Sequence, residues 1–502
     1  MKKSHRWQAT GERRQIVGFG LLPASVLSLM WGNRFSSLPI PPGKCDRVTP
    51  LRGGFKDTRQ ASASRWMWGY IIIAVFLRIV STTTAQELPF PQVSADDEAG
   101  LAPAMSKLAE QAIAAYKESG DRAAYLDNLF RAQIVAERHT EAEKTLSELR
   151  LLTSRSASRQ AAANNVPDEI FVRAKIVEAA DHVAFEEAFR RSFNETFQRL
   201  SDPISALVIR TFSVPARFLR SDVDRALQLQ KGKSSIALPD ALRLIHAYQI
   251  DREFRAFGPL ADNLITEDDQ RRYVSENDIQ VKTPDGATLC ARIIRPKHAG
   301  RFPALLEFTI YNYTDPTTVN RDMRRTASNG YVAVEGFTRG KACSPDQPIP
   351  YVHDGADAAT LIEWIAKQEW SDGRVGMYGG SYSGFTAWAA TKFMPRALKA
   401  IMVGAAVGPG IDVPMEGNVF WNFIYPWPFY TCTNKTLDDA TYNDHARWQA
   451  LDTKWYRTGR AYRDLDKIDG MPNPIFNRWI SHPSYDSYWQ SVIPYGREFA
   501  RI

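Results

Sequence analysis

Residues 375–393 read VGMYGGSYSGFTAWAATKF. Val375 to Tyr378 has the short apolar character of a strand. Residues 384–393 have the apolar spacing of a helix. Between them, Gly379, Gly380 and Gly384 surround Ser381. A sharp strand-to-helix turn exposes a serine at the carboxyl end of a sheet, and small flanking residues are needed to let the backbone approach. The helix behind Ser381 aims its first N–H groups and its positive dipole end at charge developing near the serine. The turn departs from the simple Gly-x-Ser-x-Gly spelling: Ser383 stands at the second glycine and Gly384 follows one later. These residues make Ser381 the candidate nucleophile, with the backbone N–H of Tyr382 beside it.

The surrounding pattern predicts the sheet that such a turn requires. Glu276 to Cys290 alternates about Pro284-Asp285-Gly286, a hairpin signal. Strands are expected at 291–296, 304–310, 331–335, 375–378 and 398–406, with an amphipathic helix over 357–368. Strands alternating with helices predict an α/β fold with a doubly wound, mostly parallel sheet. From about 417 to 500 strand signals fade and Trp421, Trp427, Trp448, Trp455, Trp479 and Trp489 accumulate, the composition of a helical cap over a pocket. Upstream, 100–266 keeps helical spacing, as at Leu101, Met105, Leu108 and Ala112. The pair 122–136 and 140–152 reads as a helical hairpin resembling one tetratricopeptide unit, with no second copy at that period. Further helices are expected over 168–200, 216–230 and 239–256. The scheme is therefore an extension over 1–85, a Pro-bearing linker over 86–97, an all-helical N-terminal domain over 98–268 and the α/β domain over 270–502. The helical block carries no cluster of catalytic residue types.

Charge excludes one functional class. Residues 1–65 hold twelve Lys and Arg against three Asp and Glu, a surplus larger than the whole chain's +7. The remainder is slightly acidic, so no nucleic-acid surface is expected. Four cysteines at 45, 290, 343 and 432 show no zinc spacing; isolated buried thiols are the better reading, and no metal or organic cofactor is implied. Residues 66–77, WMWGYIIIAVFL, have the length of a signal h-region, with Thr83-Thr84-Ala85 where a signal peptidase needs small residues. Export with cleavage after Ala85 is expected, to the periplasm or the medium. An uncleaved membrane anchor over 66–80 and an h-region at 16–31 stay open. Residues 1–64 lack periodicity and read as an over-extended start.

The stretch Asp354–Gly384, DGADAATLIEWIAKQEWSDGRVGMYGGSYSG, closely resembles the cocaine esterase / X-Pro dipeptidyl-peptidase family, which includes α-amino-acid ester hydrolases and cephalosporin acylases. The shared residues are Ile362-Glu363-Trp364, Gln368, Trp370-Ser371, Gly373, Val375-Gly376 and the serine turn. The resemblance extends through Thr283–Gly286, Pro303–Tyr311, Asn329–Tyr331 and His482–Trp489, about 270–502 in all. It implies an α/β-hydrolase fold with a helical cap. It implies Ser381 as nucleophile, the Tyr382 N–H as one oxyanion donor and the Tyr311 hydroxyl as the second, with Tyr313 two residues away as the alternative. A phenol suits that task as a neutral donor on a rigid ring. Where the family often has Asp before Arg-Gly, this chain reads Glu335-Gly-Phe-Thr-Arg339-Gly340, and Glu335 receives no role.

A serine hydroxyl needs a base, and in this fold the acid and the histidine follow the serine. His445 and His482 follow Ser381, both in the cap-like region, and His353 precedes it; none is assigned as base. The expectation is a fragment whose triad Asp and His lie beyond residue 502. The implied activity is serine-dependent acyl hydrolysis of a small ester, amino-acid ester or short X-Pro peptide through an acyl-enzyme. The alternative is an inactive remnant whose helical domain binds a partner.

Overall fold

The computed structural model describes residues 86–94, 96–154, 158–212, 216–314 and 316–502. The signal, anchor and extension expectations for 1–85 lie outside the described residues. Among the described residues no helix is long and apolar enough to cross a membrane.

Nine helices of the N-terminal block are described: α1 (Glu98–Ala115), α2 (Arg122–Val135), α3 (His139–Thr153), α4 (Arg159–Ala163), α5 (Val166–Asp181), α6 (Phe185–Arg199), α7 (Asp202–Phe212), α8 (Ala216–Gln228) and α9 (Leu238–Arg272). Local chemistry starts several of them. Asp97 accepts the Gly100 N–H at α1, and Asp121 accepts those of Ala123 and Ala124 at α2, satisfying donors that a helix start leaves unpaired. Two apolar clusters form the interior. One holds Phe130, Phe171, Phe189, Phe193, Phe197 and Phe257. The other holds Leu101, Met105, Leu108, Val135, Leu244 and Ile245. Each fully buried large apolar side chain contributes roughly 1.5–3 kcal/mol, so the block has a core of its own.

Helix α9 belongs to both clusters, through Leu244 and Ile245 near its start and Phe257 and Leu264 further on. Where they meet, Arg131 donates to Gln249 at 2.6 Å and Gln249 to Asp168 at 2.8 Å. The sequence ended this helix at 256, before Gly258-Pro259. The helix continues to Arg272 with Pro259 inside it. A proline removes one backbone bond, and packing on both sides of 259 outweighs it. Strand β3 therefore begins at Tyr273, not Glu276. The segment read as a linker also differs: β1 (Glu87–Pro89) pairs antiparallel with β2 (Ser235–Ala237), and Leu88 and Phe90 are buried in the second cluster.

The α/β part consists of β3 (Tyr273–Lys282), β4 (Thr288–Pro296), β5 (Phe302–Thr309), α10 (Pro316–Ser328), β6 (Val332–Phe337), α11 (Asp354–Ala366), β7 (Ser371–Gly380), α12 (Ser381–Thr391) and β8 (Leu398–Ala406). The sheet order is β3-β4-β6-β5-β7-β8. Strand β4 is antiparallel to β3 and β6, whereas the β5–β6, β5–β7 and β7–β8 pairs are parallel. An antiparallel second strand followed by a crossed-over parallel series is the α/β-hydrolase arrangement. Helices α11 and α12 cover one face through Leu361, Ile362, Ile365, Ala387 and Ala390 against Leu306, Phe308, Val334 and Met377. Gly336 permits this approach, since a Cβ there would lie 2.3 Å from Leu361 Cδ2. Helix α10 packs on the other face through Met323 and Ala327. Strand β8 is the sheet edge among the described residues, with Met402 74% exposed.

The helical block enters the sheet directly. Arg272, the last residue of α9, is buried and donates to Asp268 at 2.7 Å, to the Leu200 carbonyl at 3.1 Å and to Asp202. Arg324 of α10 pairs with Asp269.

The cysteine reading is corrected. Cys290 and Cys343 form a disulfide across 53 residues, and Cys432 is free. Strand β4 lies beside β6, and the chain after β6 folds back over β4. That neighbourhood is created by the sheet, so cysteine spacing could not reveal it.

Candidate active site

Ser381 stands where β7 ends and α12 begins. Its φ of 53° is left-handed, a costly conformation for a residue with a side chain. The end of β8 holds it. Ser381 forms a parallel bridge with Ala406, and its carbonyl accepts the Val407 N–H at 3.2 Å. The glycines follow from close approach. A Cβ at Gly379 would lie 2.4 Å from the Ser383 Cβ, and one at Gly384 would lie 2.9 Å from the Ala406 Cβ. The first N–H groups of α12, including that of Tyr382, have no acceptor within the helix.

Tyr382 is buried. Its ring stacks with Tyr351 at 5.4 Å and with Trp427 at 5.8 Å, and meets Phe385 edge-on at 5.1 Å. Tyr311, two residues past β5, lies edge-on to Tyr382 at 6.1 Å and to Trp427 at 6.5 Å. Its hydroxyl interacts with Trp427 and with Ser381, and burial pushes the phenol up to about 12. Tyr313 lies 6.4 Å from the Tyr311 ring and interacts through its hydroxyl with Tyr430. The structure thus brings Ser381, Tyr311 and Tyr382 together and turns Tyr313 toward the cap.

The cap adds what the sequence did not reveal. Trp427 and Tyr430 close on Tyr311. The segment carrying them is fixed by Lys341, whose buried ammonium donates to the carbonyls of Thr431 (2.7 Å), Asn434 (2.7 Å) and Thr436 (2.8 Å). No spacing in the sequence joins Lys341 to residues about ninety positions later. An open cavity of about 500 Å³ lies within the cap, lined by Phe429, Asp438, Thr441, Asp444 and Arg447. It contains none of the three candidate site residues.

The remaining candidates lie elsewhere. His482 pairs with Asp486 at 2.7 Å and stacks on Tyr488 at 4.1 Å. His445 is exposed at the start of a helix over His445–Thr458. His353 precedes α11, and burial, then the nearby Arg339, holds its imidazole below the ordinary range. Among the described residues no imidazole hydrogen-bonds Ser381. Glu335 pairs with Arg292 at 3.3 Å on the face of the sheet that α10 covers. Burial pushes its carboxyl up to about 7. Asp278 lies against Cys290 and Cys343, but those sulfurs are bonded to each other and offer no thiolate to a metal.

The family model for the X-Pro dipeptidyl-peptidase (S15 family) matches residues 285–498. This segment is similar to the S15 family. It includes Tyr311, Ser381, Tyr382 and most of the sheet; α1 to α9 lie outside it. Cocaine esterase of Rhodococcus sp. (strain MB1 Bresler) is 28% identical over 237 residues, covering 44% of this chain and 41% of the relative. An α-amino acid ester hydrolase structure is 22% identical, with a TM-score of 0.35, covering 44% of this chain and 39% of its own. A CocE/NonD family hydrolase from Staphylococcus aureus is 22% identical, with a TM-score of 0.31, covering 44% and 38%. The chain therefore spans about two fifths of the length of these relatives. Cocaine esterase and the α-amino acid ester hydrolase are named for ester hydrolysis, the S15 model for an X-Pro dipeptidyl-peptidase.

Proposed function

We propose that this chain carries the nucleophile and the oxyanion hole of a serine-dependent acyl hydrolase. The observation that carries the reading is Ser381 at φ 53° on the β7–α12 turn, with Tyr311 edge-on to the neighbouring Tyr382 ring at 6.1 Å. The Ser381 oxygen attacks the carbonyl carbon of an ester or amide while a base takes its proton. The carbonyl oxygen becomes an oxyanion, held by the Tyr311 hydroxyl and the Tyr382 N–H. Collapse breaks the bond to the alcohol or amine, which leaves with a proton, and water then releases the acid from the acyl-enzyme. Donors placed in advance at the oxyanion matter most in a water-poor site, and here they sit among buried aromatic rings. The relatives support a small ester, an amino-acid ester or a short X-Pro peptide as substrate.

A fluorophosphonate probe tests this reading. In the protein with its base present, it is expected to label Ser381, and Ser381→Ala is expected to abolish both labelling and hydrolysis of p-nitrophenyl esters, a loss on the order of a millionfold when a catalytic serine is removed. Labelling of another residue, or an alanine variant with wild-type turnover, removes the reading. Export is proposed with it, supported by the apolar run at 66–77 and by the disulfide, since such bonds persist mainly in oxidising compartments.

A further inference from the structure

The wall behind the site contains a buried acid to which the proposed chemistry gives no task. Asp354 is the first residue of α11 and is buried to 1% exposure. An isolated carboxylate there would be costly. It is not isolated: the Thr338 hydroxyl donates to Oδ1 at 2.6 Å, and the Tyr382 hydroxyl and the Tyr351 N–H donate to Oδ2, both at 2.9 Å. The Tyr351 N–H also lies 3.2 Å from the Tyr382 hydroxyl. These donors come from three separate segments, the chain after β6, the turn before α11 and the serine elbow. One carboxylate therefore ties the elbow to the body of the domain.

Packing alone does not call for this tie. The Tyr382 ring already contacts Tyr351, Phe385 and Trp427, contacts a phenylalanine would keep. The hydroxyl adds an anchor at the far end of the side chain whose own backbone N–H is the proposed oxyanion donor. Fixing the ring tip and the elbow backbone together restricts rotation of that N–H. The second donor, Tyr311, leans its ring on the same Tyr382.

We infer that Asp354 is a positioning residue of the oxyanion hole: it holds the Tyr382 hydroxyl, and through Tyr382 it aligns both the Tyr382 N–H and the Tyr311 hydroxyl with the substrate carbonyl. The inference rests on the serine-hydrolase reading above.

The test compares the protein with its base present against Tyr382→Phe, Asp354→Asn and the double variant, using p-nitrophenyl acetate in rapid-mixing experiments. Burst amplitude counts competent serines, and the rate per competent serine reports alignment. Each single change is expected to lower the per-site acylation rate about tenfold to a hundredfold, part of the worth of one oxyanion donor, with KM within about threefold. The double variant is expected to be no slower than the slower single, because the two groups act as one unit. A merely structural role would reduce the amplitude and the melting temperature and leave the per-site rate alone. Single-variant rates within about twofold of wild type, or losses that multiply, overturn the inference. Where Asp354→Asn does not fold, Tyr382→Phe, which deletes one oxygen, decides by its per-site rate. A wild-type protein that carries the base and still gives no burst removes the serine reading itself, a result distinct from either.

Discussion

Replacing Tyr311 by phenylalanine is the sharpest separation of chemistry from packing that this site offers. The ring is fixed by its neighbours: Tyr382 at 6.1 Å, Trp427 at 6.5 Å and Tyr430 at 6.4 Å. Phenylalanine preserves those contacts and their area. It removes one hydroxyl and that group's interactions with Trp427 and Ser381. A hydrogen bond of this kind contributes about 1 kcal/mol to folding, so the melting temperature should move by only a few degrees. Loss of one oxyanion donor is far larger, about 2.7–4 kcal/mol in the transition state, a hundredfold to thousandfold in kcat. The loss should fall on kcat and leave KM nearly unchanged, because the oxyanion exists only after attack. Burial also sets the pH range. An ordinary phenol ionises near 10, but this one is pushed up to about 12. The neutral donor form therefore persists to higher pH, and the wild-type rate should show no loss from Tyr311 up to about pH 11. Steady-state and single-turnover kinetics on p-nitrophenyl esters from pH 7 to 11 measure both effects. A kcat loss below about threefold, or a rise in KM with kcat intact, would refute the assignment of Tyr311 to the oxyanion.

Two further outcomes can be measured independently. Changing both Cys290 and Cys343 to alanine removes a cross-link spanning 53 residues; a loop of that length corresponds to about 4 kcal/mol of chain entropy, so the urea midpoint should fall clearly, and an unchanged midpoint would show that the bond contributes nothing. For export, expression in a bacterium followed by N-terminal sequencing should give a secreted chain beginning near Gln86, and a cytoplasmic product retaining residues 1–85 would exclude it.

Elements whose cause lies within one contiguous stretch were legible in the sequence. The strand–turn–helix about Ser381, the hairpin at Pro284-Asp285-Gly286 and the strand at 398–406 each carry their periodicity and turn chemistry in neighbouring residues, and the structure has β7, α12, β3, β4 and β8 there. Tyr311 was reached through resemblance, because nothing local distinguishes it from Tyr313. The distinction comes from the cap: Trp427 stands against the Tyr311 ring, while Tyr313 is exposed. What the sequence missed depends on distant pairings. Asp354 meets Tyr382 across 28 residues, Lys341 meets Thr431 across 90, and the disulfide depends on β4 lying beside β6. The continuation of α9 through Pro259 belongs with these, since the two clusters it serves are assembled from other helices.

The irregular spelling of the serine turn shows how far a motif can be replaced by its cause. A glycine two residues after the nucleophile is usually read as the mark of this elbow, and here that position is Ser383. The underlying requirement is steric. Ser383 fits because Gly379, four residues earlier, gives up the space that a Cβ would need, its ideal Cβ falling 2.4 Å from that of Ser383. The next turn of α12 must also pass β8. There the demand falls on Gly384, whose added Cβ would lie 2.9 Å from Ala406. The space lost at one position is thus provided at two others, and Ser381 still adopts the left-handed φ that exposes its oxygen. Ala406 is itself the β-bridge partner of Ser381, so the residue that forces a glycine at 384 also helps hold the serine in place. The elbow is therefore specified jointly by β7, α12 and the end of β8, and a substitution at Ala406 large enough to displace α12 would disturb the proposed nucleophile with Ser381 itself unchanged.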